Sequence, residues 1–111
     1  MSAVVFDPGL FRHRVVIETA AVAPDGAGGE TVTWQVLATT WALIEPAVAG
    51  ERIVAGRLSG VVTHAITLRF REDVTGGMRV LYGGRRYRVL VAHDPDARRR
   101  YLVLKTEIET P

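Results

Sequence analysis

The chain of 111 residues contains no cysteine, so it has neither disulfide staples nor thiolate metal ligands. That agrees with synthesis in a reducing cytoplasm. Serine is scarce: Ser2 and Ser59 are the only two, and neither sits in a G-x-S-x-G nucleophile elbow. The three histidines, His13, His64 and His93, stand far apart with no carboxylate at ligand spacing. Each reads as a half-buried strand residue, and no metal or other cofactor is expected. No apolar run approaches the roughly 20 residues that a membrane helix needs, so no membrane partner is expected. The opening stretch MSAVVFDPGLFRHR lacks a basic start and a long apolar core, so no secretory signal is expected either. Glu72-Asp73 and Asp94-Pro95-Asp96 bring carboxylates together in the sequence, and both read as turn formers. These gaps leave little support for an enzyme.

Lysine is scarce too: Lys105 is alone beside thirteen arginines. The charge is unevenly spread. Residues 1–50 carry Arg12 and Arg14 against Asp7, Glu18, Asp25, Glu30 and Glu45, a net of −3. Residues 51–111 carry 12 basic and 7 acidic groups, a net of +5. Arg85, Arg86, Arg88, Arg98, Arg99 and Arg100 form the densest group. An ordinary solvated face is the bland reading. The sharper one is contact with DNA phosphates or with acidic groups of a neighbouring subunit.

What the chain has in quantity is alternation. In VVTHAITLRF, Val62, His64, Ile66, Leu68 and Phe70 alternate with Thr63, Ala65, Thr67 and Arg69. A period of two puts the first set on the buried face of a strand. Gly83-Gly84 between two such runs suits a type I′ hairpin turn, in which both central residues take positive φ. Further strands are expected over residues 12–20, 31–37, 39–46 and 98–109. The tryptophans, Trp34 and Trp41, are expected in the core or at a subunit interface rather than as stacking platforms for bases. Residues 23–30 (APDGAGGE) read as a hairpin tip. Residues 47–60 (AVAGERIVAGRLSG) break the alternation. A short, weak helix with mobile ends is expected near residues 49–58, weakened by glycines that each cost about 1 kcal/mol against alanine. Residues 1–10 read as an arm whose apolar Phe6 and Leu10 dock on its own barrel or on a neighbour.

The resulting expectation is one all-β domain over residues 1–111. It is a small antiparallel β-barrel of about six to seven strands, with one short helix or loop insertion after the third strand.

The runs RHRVVIE, TVTWQVLATTWALIEP, VTHAITLRFR and MRVLYGGRRYRVLVAHDPDARRRYLVLKTEIE occur in that order. Together they resemble the phage head–tail joining proteins, also called head-closure or stopper proteins. The matching details are Thr63-His64 and Arg69-Phe70 in the central strand and Met78-Arg79-Val80 at the hairpin entry. The Ala, Arg and Gly bias resembles a prophage or gene transfer agent. The resemblance implies a structural virion subunit at the head–tail interface, forming a ring around the DNA channel, six-fold in preference to twelve-fold. Implied partners are a portal-bound adaptor, a tail terminator or other tail protein, and packaged double-stranded DNA held without sequence preference. It also implies that residues 47–60 close the channel, through Val48, Gly50, Glu51, Arg52, Ile53, Val54, Arg57 and Leu58. The insertion departs from the pattern in being apolar and glycine-rich with few charges. The rival reading is an oligonucleotide-binding barrel for single strands, which needs exposed aromatics among Trp34, Trp41, Tyr82, Tyr87 and Tyr101 on one face.

Overall fold

A computed structural model describes residues 7–109. The chain forms β1 (His13–Pro24), β2 (Glu30–Pro46), β3 (Arg52–Ile53), β4 (Gly60–Val61), β5 (His64–Arg69), β6 (Arg79–Tyr82), β7 (Arg85–His93) and β8 (Tyr101–Glu109). Six of these make one antiparallel sheet in the order β1-β2-β5-β8-β7-β6, curled into a ring that β6 closes on β1. The closing contact is short, from Val16↔Leu81 to Glu18↔Arg79. β3 and β4 form a separate two-stranded ladder.

Alternation builds the core as expected. Val15 and Ile17 from β1, Ile66 and Leu68 from β5, Val80 from β6, Val89 from β7 and Leu104 from β8 are wholly buried. Phe70 differs: it lies just past β5, is half-buried, and packs on the edge of this cluster. The Arg99 guanidinium covers its ring at 4.7 Å from the centroid. The Gly83-Gly84 turn is as expected, with φ of 60° and 75°.

Two expected strands are one. Residues 31–37 and 39–46 run on as β2, since nothing at Ala38-Thr39 forms a turn. A register shift between Ile17 and Glu18 accommodates the irregularity. Across it, Ile17 faces Ala38 and Glu18 faces Val36, so Leu37 is the extra residue of a bulge. Leu37 packs on the core. The insertion therefore follows the second strand rather than the third.

The insertion is not a helix, and no α-helix occurs among the described residues. Gly50 and Gly56 take φ of +85° and +59°, outside helical backbone space. Arg52 and Ile53 pair with Val61 and Gly60 instead, and a 3₁₀ turn spans Gly56–Leu58. The last strand starts at Tyr101, not Arg98. Before it, the Asp94 carboxylate accepts hydrogen bonds from the Asp96 and Arg99 amides, and Asp96 accepts one from the Arg98 amide. Those side-chain bonds favour a loop over a ladder.

β1 and β2 outrun the ring. β1 pairs with β6 only as far as Glu18, and β2 pairs with β5 only from Ala42 onward. Beyond those points they pair only with each other, out to Pro24↔Glu30. This two-stranded ribbon stretches the molecule to 51 Å along one axis, against 29 and 27 Å across.

Candidate assembly surfaces

Strand direction sorts the connections to two ends of the ring. The insertion, the Gly83-Gly84 turn and the start of β1 lie at one end. The ribbon, residues 70–78 and the loop before Tyr101 lie at the other. The arginine group splits accordingly. Arg85 and Arg86 begin β7, and Arg98, Arg99 and Arg100 follow its far end at His93. Eight residue steps separate the ends of β7, about 26 Å of extended chain. The six arginines are thus not one patch.

Most of them have intramolecular work. Arg88 donates through Nη2 to Glu107 Oε1 at 2.9 Å and to the Ser59 carbonyl at 3.0 Å, and through Nη1 to the Arg57 carbonyl at 3.2 Å. Glu107 also accepts from the Val61 amide at 3.2 Å. Arg88 and then the Val61 amide hold the Glu107 carboxyl below its ordinary value of 4.5. Arg99 pairs with Glu72, and Arg100 pairs with the buried Asp96 at 2.8 Å and lies over Tyr101. Arg86 approaches Glu109 at 3.7 Å, and Arg85 beside it is exposed.

The insertion residues are held at their base and free at their tips. Lys105 Nζ donates to Glu51 Oε2 at 2.8 Å, and the Val62 amide donates to the Glu51 carbonyl at 2.8 Å. Ser59 Oγ accepts from the Ala55 amide at 2.8 Å. Ile53 and Leu58 are half-buried, and Leu58 rests against Gly76. Val48 is 80% exposed and Val54 90%, with Gly50, Arg52 and Arg57 also exposed. The arrangement is a clamp around Arg88 and Glu107 from which apolar tips project.

Two features at the ribbon are not visible in the strand pattern. The bulge brings Val32, Trp34 and Val36 onto the face that carries Ala20 and Val22, with Val22 directly opposite Val32. Val22, Val32 and Val36 are exposed. At the root, Arg79 Nε donates to Glu18 Oε1 at 2.6 Å while its guanidinium lies 4.1 Å from the centre of the Trp34 ring. Both ends of the Glu18–Arg79 pair are largely shielded from water. At the tip, Asp25 Oδ1 accepts from the Ala27 and Gly29 amides, which lowers its pKa.

The outer wall beside the ribbon carries an open groove of about 580 Å³, lined by Pro8, Gly9, Phe11, Arg12, Thr40, Trp41 and Arg69. The 3₁₀ turn Pro8–Leu10 forms one lip, capped by the Asp7 carboxylate on the Gly9 amide. Leu10 is exposed, and the expected docking of Phe6 lies outside the described residues. Neither tryptophan is in the core. Trp34 sits under Arg79, and Trp41 is 56% exposed in the groove.

The aromatics do not assemble into a base-stacking face. Tyr87 is buried, and Tyr82 bonds His13 Nδ1 at 2.8 Å. His64 meets the edge of Tyr87, while His93 is exposed rather than half-buried. Among the described residues no three His, Asp or Glu side chains could hold a metal ion.

Comparison with known proteins agrees with this architecture. A protein from Shigella flexneri 2a, solved in solution, is similar at 25% identity and a TM-score of 0.71, over 95% of this chain and 98% of that one. A chain of a native gene transfer agent virion shares the fold at 22% identity and a TM-score of 0.63, over 88% of this chain and 96% of that one. No curated protein matches the sequence. The family model described as phage head completion protein matches residues 6–109. With that match across the whole barrel, the chain belongs to the phage head completion protein family, structural proteins of the virion.

Proposed function

We propose that this protein is a head-closure subunit. Copies form a ring around the DNA channel, between a portal-bound adaptor and the tail, and residues 47–60 narrow the channel. Family membership supports the setting. The observation that carries the gating role is the insertion itself. Its base is clamped by Arg88 and Glu107, while Val48 and Val54 project with nothing among the described residues to cover them. In a ring these tips from each copy meet at one axis and bury one another, so closure belongs to the assembly and not to the monomer. Arg85 and Arg86 lie at the same end and supply phosphate contacts that are indifferent to sequence and weaken with salt.

The test is electron microscopy of filled particles before and after tail attachment. The reading expects one ring of this protein at the portal exit, with residues 47–60 pointing at the axis before attachment and withdrawn after it. Insertions that point away from the axis in both states would overturn it.

A further inference from the structure

The ribbon and the groove are complementary in charge, and among the described residues the ribbon's valines and Trp41 stand exposed. Residues 19–38 carry Asp25 and Glu30 and no basic group. The Asp25 carboxyl is held charged by the amides of its own loop. The groove is the reverse. Arg12 and Arg69 line it, Arg14 pairs across from Trp41 on the same wall, and no acidic residue is among the lining. Arg69 and Arg14 are exposed and make no ion pair among the described residues, and the Arg12 guanidinium bonds only a carbonyl, that of Gly9. Trp beside Arg in a concave, partly apolar site is the composition that anchors protein interfaces.

A partner is also called for by the ribbon's own physics. A two-stranded hairpin standing clear of its sheet is marginal in water and leaves both backbone edges open. Valines on one face add to the surface that needs covering. Six residues of strand past Glu18 extend about 20 Å, enough to reach an adjacent barrel.

Resting on the ring reading above, we propose that the ribbon tip of one copy seats in the Trp41 groove of the next. Glu30 and Asp25 then meet Arg12 and Arg69, and Val22 and Val32 pack on Trp41 and Phe11. Different surfaces meet, so the contact is head-to-tail, and repeating it closes a ring or extends a chain. The second copy is preferred over a foreign partner because both halves of the contact, with opposite charge, are on this chain.

The absence of cysteine permits a clean test. Glu30→Cys and Arg69→Cys are introduced singly and together, and assembled particles are treated with a short bismaleimide. The double variant gives a ladder of multimers that ends at the ring size, while each single variant gives none beyond a dimer. In parallel, Glu30→Arg and Arg69→Glu each cut incorporation into particles about tenfold or more, and the two together restore it. That rescue separates lost contact from lost folding. A ring visible by microscopy but giving no ladder and no rescue overturns this contact and leaves the ring reading standing. No ring at all overturns the ring reading. Crosslinks from position 30 to an adaptor or tail protein assign the ribbon to that partner and overturn the inter-copy contact. A ladder that appears only after residues 1–6 are removed gives the groove to the chain's own start, and also overturns it.

Discussion

The wall of the barrel and the two projections from it follow opposite rules. In the wall, each strand is paired on both sides, and Val15, Ile17, Ile66, Leu68, Val80, Val89 and Leu104 are fully withdrawn from water. In the ribbon and the insertion, strands pair on one side only, and valines at 22, 32, 36, 48 and 54 stand in solvent. A monomer gains nothing from such exposure. The contrast separates the residues that make the fold stable from exposed apolar residues that add nothing to it. The projections leave from opposite ends of the ring.

Mutations that break this contrast should rank by where they fall. The largest loss is expected in the wall. Leu68→Ala should cost about 2–5 kcal/mol by urea denaturation, as large core truncations do. Phe70→Ala, half-buried at the rim, should cost visibly less than Leu68→Ala in the same assay. Equal costs would mean that the rim is as tightly packed as the centre.

The ribbon root comes next. Arg79→Ala strips Glu18 of its partner and uncovers Trp34, for a loss of about 1–3 kcal/mol. A shift in tryptophan fluorescence should accompany it, because Trp34 leaves the guanidinium. Unchanged fluorescence would show that Arg79 does not set the ribbon's direction.

The insertion clamp should respond to acid. The Glu107 carboxyl is depressed in the fold, so its contribution is present above 4.5 and is lost as pH falls through the folded value. Hydrogen exchange at the Val61 amide should therefore rise below pH 4.5 before the wall opens, and Glu107→Gln should flatten that response. Smallest of all is the effect of Val54→Ser on monomer stability, within about 0.5 kcal/mol for so exposed a residue. The same change should make filled particles lose DNA.

The sequence made the wall legible because period-two alternation and the paired glycines act locally. Val15, Ile17, Ile66 and Leu68 fall where alternation puts them, and Gly83-Gly84 turns as its backbone freedom requires. Three things were hidden by depending on distant partners. Residues 30–46 run on as one strand because a bulge, not a turn, absorbs the irregularity opposite Glu18. The insertion forms a ladder and not a helix because Glu51 and Val61 find partners at Lys105 and Glu107. The arginines looked like one basic cluster in the sequence, but β7 carries them to opposite ends, and Arg88 is used inside the fold. One signal was available for the ribbon. Residues 18–36 hold β propensity on both sides of a glycine-rich tip, over a length greater than a small barrel needs.

The central claim is that the wall folds the protein and the projections assemble it. Deleting residues 50–56 and examining both the free protein and filled particles tests it most directly. The account predicts that the free protein keeps its cooperative thermal transition, that the particle still carries its ring, and that DNA leaks before tails attach. Loss of the transition in the free protein would make the insertion part of the wall and contradict the account.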